Sequence, residues 1–65
     1  MAKNFELIER IGISSVSISD AIKSAVFEAR KERPVAWFEI TDQRGRITDN
    51  GEIEYQITVK IGRKL

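Results

Sequence analysis

Trp37 is the only tryptophan in the 65-residue chain, and it lies in a short run of strand-forming residues, 35–40. Because successive side chains of a strand point to opposite faces, Phe38 and Ile40 share one face, while Trp37 and Glu39 share the other. We expect Phe38 and Ile40 to belong to the core. The indole then stands on the face that a small sheet normally gives to water. A partner subunit, a ligand or both must cover it, and the chemistry it offers is stacking.

The remaining composition argues against catalysis. The chain has neither cysteine nor histidine, which excludes disulfides, thiolate nucleophiles, imidazole acid–base chemistry and the common zinc sites. The carboxylates of the strand and turn regions are spread apart, as is typical of solvated charges: Glu39, Asp42, Glu52 and Glu54. Asp49 and Asn50 could meet a cation, but turn formation explains them, so the sequence predicts no enzyme and no metal site.

The small size of the chain points to self-association. A chain of 65 residues forms one domain (1–65), buries only about 60% of its unfolded surface, and usually needs extra stabilisation. Without cysteine and histidine, oligomerisation is the expected source.

With 11 basic and 10 acidic side chains, the net charge of +1 predicts no strong attraction to nucleic acid or anionic membranes. No signal-peptide run or transmembrane stretch is present, so we expect a soluble cytoplasmic protein.

The elements that must position Trp37 begin with a strand and a helix. Residues 5–11 alternate as a first strand, which we expect Gly12 to end. Two N-caps are open: Ser14, with a hydrophobic staple around it, and Ser17, with a capping box to Asp20. The staple favours Ser14. The helix should run to about Arg33, with one apolar stripe formed by Ile18, Ala21, Ile22, Ala25, Val26 and Ala29.

Two apolar residues lie off that stripe. At ~100° per residue, Phe27 falls about opposite the centre of the stripe, and Val16 lies on the same side as Phe27. Phe27 could be a lone exposed aromatic, which is common. We favour the alternative, that Phe27 and Val16 form a second patch that faces another subunit.

The rest of the chain predicts a β-hairpin. A second strand runs from Val35 to about Thr48, interrupted at Gly45, and residues 53–61 alternate clearly as a third strand. Asn50 and Gly51 predict a type I′ turn. That turn pairs Ile40 with Ile61 and Phe38 with Arg63. The fold class is therefore α+β, a β-α-β-β chain with a three-stranded antiparallel sheet curled around one helix and the third strand central.

In these features the chain resembles the dodecins, small β-α-β-β flavoproteins that assemble as hollow homododecamers and hold flavins in stacked pairs. The resemblance spans nearly the whole sequence. It is carried by ERIGIS at 9–14, WFEI at 37–40, RG at 44–45 and YQITVKIG at 55–62. Each piece alone is weak, but their order and spacing together are specific.

The resemblance implies roles for matching positions. Trp37 would stack on the flavin ring, Gln56 would hydrogen-bond the polar edge of the flavin, and Arg44 would lie near a flavin phosphate. Val35 and Ala36 would form part of the pocket wall. An indole does supply stacking area, and a glutamine amide can both donate and accept hydrogen bonds toward a pyrimidine edge.

The chain departs from the family pattern in two places. The segment before Trp37 is one residue shorter than usual and contains Pro34, so the pocket wall is expected to differ. After Gly62, where many dodecins have an aromatic, Arg63 and Lys64 follow. They could strengthen phosphate or coenzyme A contacts, which makes Lys64 a candidate site residue, or form a solvated terminus. We favour the solvated terminus.

The predicted register also separates Trp37 from Gln56. They lie eight residues apart along the hairpin, on the order of 25 Å at ~3.3 Å per residue. If both contact one flavin, they come from different subunits.

The resulting hypothesis is a non-enzymatic flavin-binding protein that stores flavin (FMN, riboflavin or a degradation product) and quenches its excited state. Two alternatives are kept. One is a ligand-free oligomeric shell in which Trp37 is interface core. The other is a single-stranded nucleic-acid module in which Trp37 stacks on bases and basic residues meet phosphates: Arg44, Arg46, Lys60, Arg63 and Lys64.

Overall fold

Three strands and one helix follow one another in the order β-α-β-β. The structure of the protein, a computed structural model, describes residues 2–65. The sheet has the strand order β1-β3-β2 and is antiparallel throughout, which confirms the predicted fold class and the central third strand. The elements are β1 (Phe5–Ser14), α1 (Ile18–Arg30), β2 (Val35–Ile47) and β3 (Ile53–Lys64).

The core lies between α1 and β3. Small residues on the helix stripe bring its axis close to the sheet, where the branched side chains of β3 fill the contact. The buried hydrophobic residues are Ala21, Ala25, Ala29, Ile57, Val59 and Ile61. The other members of the predicted stripe are partly buried against this cluster, so the stripe is confirmed: Ile18, Ile22 and Val26.

Gly12 is a point of close helix–sheet packing rather than the end of the first strand. A Cβ at Gly12 would lie 2.9 Å from the carbonyl carbon of Ala21 and 3.2 Å from the Cβ of Ala25. The helix therefore crosses β1 at a residue that has no side chain. The predicted strand end was wrong, since β1 continues to Ser14, which pairs with Tyr55.

The helix begins after Ser17, so the preference for Ser14 as N-cap was wrong. The Ser17 hydroxyl accepts a hydrogen bond from the Asp20 N–H at 3.0 Å. Ser14 is still part of β1, and its hydroxyl donates to the Asp20 carboxylate at 2.7 Å and accepts from the Val16 N–H at 2.9 Å. It closes the turn before the helix instead of capping it. The helix also ends at Arg30, three residues short of the predicted Arg33.

The hairpin turn differs from the predicted type I′ turn. The Gly51 N–H donates to the Thr48 carbonyl at 2.9 Å, and the Thr48 N–H donates to the Glu52 carbonyl at 2.8 Å. Only Gly51, with φ +80°, adopts a positive φ, whereas a type I′ turn needs one at Asn50 as well. The loop therefore holds three residues instead of two, which moves the register by one.

A β-bulge adds a second register step. Ile40 pairs with Val59 and Asp42 with Thr58, so Thr41 is the extra residue. Together the loop and the bulge pair Ile40 with Val59 rather than with Ile61, a shift of two positions. Because the side-chain period is two, residues 37–40 keep their predicted faces although their predicted pairs were wrong. Residues 42–47, between the bulge and the loop, are shifted by only one position and lie on the opposite faces to those predicted.

Two smaller expectations for β2 also change. Gly45 does not interrupt the strand, because it pairs with Tyr55 within a continuous ladder. Phe38 pairs with Ile61 rather than with Arg63. Both Phe38 and Ile40 lie on the helix side of the sheet but remain 47% and 40% exposed. Since α1 packs chiefly on β1 and β3, these two residues are not buried in the core of one chain.

Much apolar surface is therefore left open. Phe27 of α1 and Val16 of the turn before it are exposed, and the Arg30 guanidinium lies over the Phe27 ring at 4.7 Å. Their proposed contact with another subunit stays a prediction. Within residues 2–65, no helix is long and apolar enough to cross a membrane.

Arg63 is buried, so the expectation of a solvated terminus was wrong at this position. It is only 4% exposed and forms an ion pair with Glu6 of β1. Its guanidinium also donates to the Ala29 carbonyl at 3.1 Å and lies 3.6 Å from the Glu32 carboxylate. A cation at the last helical turn is favoured by the helix dipole. Arg63 thus joins β1, β3 and the end of α1, whereas Lys64 is exposed.

We predict that Arg63→Ala lowers the free energy of unfolding by about 2–3 kcal/mol, because it leaves Glu6 and the Ala29 carbonyl without their partner. Glu6 is partly exposed, which places the loss at the low end of the range for broken buried pairs. Urea denaturation at one fixed chain concentration measures it, since association contributes to apparent stability. The exposed Arg33→Ala is the control, and an equal loss in both variants would contradict the role of Arg63.

Candidate functional site

The candidate site lies on the sheet surface that faces away from α1, which we call the outer face. Directly paired residues of antiparallel strands point to the same side, so the register defines this surface. β2 contributes Trp37, Glu39, Asp42, Arg44 and Arg46, and β3 contributes Glu54, Gln56, Thr58, Lys60 and Gly62. β1 contributes Phe5, Leu7, Glu9, Ile11 and Ile13. The apolar residues of β1 on this face are exposed, so the outer face is partly apolar.

Trp37 lies on the outer face, directly across from Gly62 of the central strand. Its indole rests on the backbone of Gly62, because a Cβ on that glycine would lie 2.5 Å from Nε1 and 2.6 Å from Cζ2 of the ring. The side chain remains 46% exposed. The indole is therefore supported from below by its own sheet and open above, which is the arrangement that stacking requires.

Gln56 and Arg44 lie together at the other end of the outer face. They form a directly paired couple on neighbouring strands. Gln56 is six residues (62 − 56) from the glycine beneath Trp37. At ~3.3 Å per residue that is on the order of 20 Å, rather than the predicted 25 Å. The distance still exceeds the length of one three-ring aromatic system, so a single chain does not bring Trp37 and Gln56 to the same ligand.

The Gln56 amide is oriented by a charged neighbour. The Glu54 carboxylate accepts from Arg46 Nε at 2.8 Å and from Gln56 Nε2 at 3.2 Å. The hydrogen bond from Arg46 lowers the pKa of Glu54 below its ordinary value, and the hydrogen bond from Gln56 adds a smaller effect in the same direction. Glu54 in turn raises the pKa of Arg46. With its nitrogen turned toward Glu54, the Gln56 amide presents its carbonyl oxygen as an acceptor.

Arg44 is held by a carboxylate that the sequence analysis did not connect to it. Its Nε and Nη2 donate to Asp42 Oδ2 at 2.9 and 2.6 Å. The bulge at Thr41 places both Asp42 and Arg44 on the outer face. The i, i+2 spacing was visible in the sequence, but which face they share depends on the bulge. A phosphate that reaches Arg44 must compete with Asp42.

The remaining candidate residues differ in whether they lie near Trp37 on the outer face. Ala36 is the extra residue of a second bulge and is exposed beside the indole. Lys64 pairs with Phe5, and its N–H donates to the Pro34 carbonyl at 3.0 Å, so it belongs to the Trp37 end of the outer face. Val35, by contrast, pairs with Arg63 and packs against the helix-side core. The structure therefore groups Ala36 and Lys64 with Trp37 but not Val35.

An open depression of about 410 Å³ lies beyond that end of the sheet, lined by Ala2, Lys3, Asn4, Phe5, Lys64 and Leu65. It shares only Lys64 with the candidate residues and does not include the indole. Within residues 2–65, no group of three or more acidic side chains gathers where a metal ion could be held.

Comparison with known proteins agrees with this arrangement. The family model of the dodecins matches residues 5–65. A curated dodecin from Thermus thermophilus is 36% identical over 66 residues, which cover 100% of this chain and 96% of that protein. A crystal structure from T. thermophilus superimposes with a TM-score of 0.88 at 35% identity, and covers 98% of this chain and 96% of its own. The chain belongs to the dodecin family.

A more distant relative carries an additional property. The calcium dodecin of Mycobacterium tuberculosis is 25% identical, has a TM-score of 0.87, and covers 95% of this chain and 90% of its own. That protein chelates calcium and has a calcium-binding site. As a family, dodecins are small flavin-binding proteins that form homo-oligomers, and they are binding proteins rather than known enzymes.

We predict that Arg46→Ala raises the pKa of Glu54, because the Arg46 hydrogen bond is the largest cause of its lowering. A carboxyl whose pKa is lowered by folding stabilises the fold above its unfolded pKa, and this contribution is lost as the pH falls through the folded pKa. The wild type should therefore be more stable than the variant at neutral pH, with the difference vanishing in acid.

Carbon-13 NMR of the Glu54 carboxyl measures the pKa, and denaturation at several pH values measures stability. Arg33→Ala removes an exposed arginine elsewhere and is the control. An unchanged Glu54 titration in Arg46→Ala would contradict the interpretation.

Proposed function

We propose that this dodecin stores and buffers a flavin, FMN or riboflavin or a degradation product, by stacking it on Trp37 where subunits of a homododecamer meet, and that it quenches the excited flavin. The observation that carries the proposal is the indole of Trp37, which lies on Gly62 with its opposite side open. A flat, electron-rich ring fixed in this way provides stacking area at low cost in conformational entropy.

The exposed apolar surface supports assembly. Within the part of the chain that the structure describes, β1 and β2 each pair with β3 alone, so both edges of the sheet are open. Apolar side chains are exposed on the outer face of β1, on the helix side of β2 and at the hairpin tip: Phe5, Leu7, Ile11, Ile13, Phe38, Ile40, Ile47 and Ile53. Monomers seldom expose large apolar patches, so other subunits are expected to cover these side chains. The family is oligomeric, and twelve subunits follow the dodecin pattern.

The separation of Trp37 from Gln56 supports a site shared between subunits. About 20 Å within one chain is too far for one flavin to contact both residues. If Gln56 of a neighbouring subunit approaches Trp37, its acceptor oxygen meets the donor N–H of the flavin pyrimidine ring. The site then exists only in the assembly, which couples flavin binding to oligomer formation.

The function proposed is binding rather than turnover. In residues 2–65, Asp42 and Glu54 are each engaged by an arginine rather than poised as an acid or a base. An indole in contact with an excited flavin favours electron transfer from the indole to the flavin. When the electron returns, both rings are in the ground state and neither has changed chemically. Protection of the flavin from light, together with buffering of its free concentration, follows from this.

One specific observation favours the ligand-free shell as a second candidate. Trp37 belongs to the same partly apolar outer face as the exposed residues of β1, so a protein surface could cover it. The nucleic-acid module loses support, because Arg63 is buried and both Arg44 and Arg46 are paired with carboxylates.

We predict that Trp37→Ala weakens riboflavin binding roughly 5–150-fold, the loss expected for a stacking contact of ~1–3 kcal/mol. The wild type should quench riboflavin fluorescence at a stoichiometry near one flavin per chain. Light scattering after size exclusion should show an unchanged oligomer. Trp37→Phe, which keeps a smaller ring, should retain intermediate affinity. No quenching by the wild type, with a damaged oligomer in Trp37→Ala, would favour the ligand-free shell.

We further predict that Asp42→Asn raises the preference for FMN over riboflavin a few-fold, since it releases Arg44 for the phosphate. Arg44→Ala should remove that preference. Titrations of FMN, riboflavin and coenzyme A in parallel measure it, because coenzyme A offers phosphates without the flavin ring. Glu28→Gln breaks another exposed ion pair, that with Lys31 at 3.0 Å, and is the matched control. A preference unaffected by Asp42→Asn and Arg44→Ala would contradict the role of Arg44.

A further inference from the structure

Gly62 occupies a position where a glycine is not required by the backbone. It lies inside the central strand β3, paired with Leu7 on one side and Trp37 on the other. Gly51 is the only glycine with a positive φ. A glycine inside a strand weakens it and often marks the close approach of another group. The reason for Gly62 must therefore be the space above its Cα atom.

That space is filled by the indole of Trp37. A Cβ built on Gly62 would lie 2.5 Å from Nε1 and 2.6 Å from Cζ2, and closer still to Cε2, the atom bonded to both. Real Cβ atoms essentially never approach other atoms within 3.0 Å. A nearest middle atom with its two neighbours only slightly farther away is the pattern of a ring that presents its face. The indole therefore covers Gly62 and cannot keep this position over any residue with a side chain.

We propose that Gly62 is the positioning residue of the flavin site. Because Gly62 has no side chain, the indole of Trp37 can lie directly on the backbone. One ring face then packs against the sheet, and the other is turned outward to the ligand. A side chain at this position lifts or tilts the indole away from the stacking plane. The consequence for flavin rests on the function proposed above, whereas the packing of Trp37 on Gly62 does not.

The other strand glycines show that this arrangement is specific to Gly62. A Cβ on Gly12 would meet the backbone of α1, so that glycine serves helix packing. A Cβ on Gly45 would lie 3.4 Å from the Glu54 carbonyl oxygen, which is an ordinary contact. Gly45→Ala is therefore a matched control, the same substitution in the same sheet with no side chain to displace.

Riboflavin titrations of the assembled protein test the inference. Gly62→Ala should weaken binding about tenfold or more, since the stacking contact is misplaced, while Gly45→Ala should bind as the wild type does. A double-mutant cycle of thermal unfolding midpoints tests the packing itself, without flavin. Gly62→Ala should lower the midpoint when Trp37 is present and leave it unchanged in the Trp37→Ala background.

Each outcome decides the question. Wild-type riboflavin affinity in Gly62→Ala overturns the positioning role. An equal loss of midpoint in both backgrounds overturns it too, because Gly62 would then serve the backbone alone. If Gly62→Ala fails to fold but folds together with Trp37→Ala, the packing is supported. If the wild type binds no flavin while the cycle behaves as expected, the proposed function fails and the packing of Trp37 on Gly62 stands.

Discussion

A single thirteen-residue helix on a sheet of long strands is the constraint from which the rest of this structure follows. α1 packs on β1 and β3, and its alanines pack against the buried side chains of Ile57, Val59 and Ile61. It contacts β2 only slightly, and it lies on the side of the sheet opposite the outer face. The chain therefore forms a small, closed core and a much larger uncovered sheet. The proposed flavin site and the proposed subunit contacts both lie on the surface that the helix leaves open.

Two β-bulges decide which side chains reach that surface. The extra residue Ala36 separates Val35, which turns to the helix side, from Trp37, which faces outward. The extra residue Thr41 reverses the alternation a second time, so that Asp42 and Arg44 join Trp37 on the outer face. Without it, the odd-numbered positions that follow would face outward instead. The strand is thus bent twice along its length, and each bend selects a candidate ligand contact.

Periodic features were predictable from the sequence, and irregular ones were not. The alternation of β3 and the stripe of α1 repeat over many residues, so the central strand, the helix face and the outward Trp37 could be inferred. The bulge at Thr41 and the three-residue loop each depend on one local choice that the pattern does not record. Their two register steps add to one side-chain period, so residues 37–40 keep their predicted faces while their pairs change, but residues 42–47, which lie between the two steps, change face.

Other errors came from residues whose tertiary partners are remote in sequence. The burial of Arg63 depends on Glu6, which lies 57 positions away. No local signal distinguishes this arginine from the solvated Lys64 beside it. The buried cation matters for the site because Val35, its cross-strand neighbour, begins the strand that carries Trp37. Arg63, which was expected to belong to a solvated terminus, therefore links the start of β2 to the end of the helix.

If Trp37 binds a flavin as proposed, the charge distribution of the outer face favours ring stacking over ionic attraction as the main source of affinity. Arg44 is already paired with Asp42, and Arg46 with Glu54. A ligand phosphate must displace these carboxylates to bind the arginines, so it adds little affinity. The indole of Trp37, by contrast, is 46% exposed, so its open side is available for stacking. Affinity should then follow the isoalloxazine ring, which all flavins share, more than the phosphate, which only some of them carry. Such a site suits the buffering of a mixed flavin pool better than the selection of one cofactor.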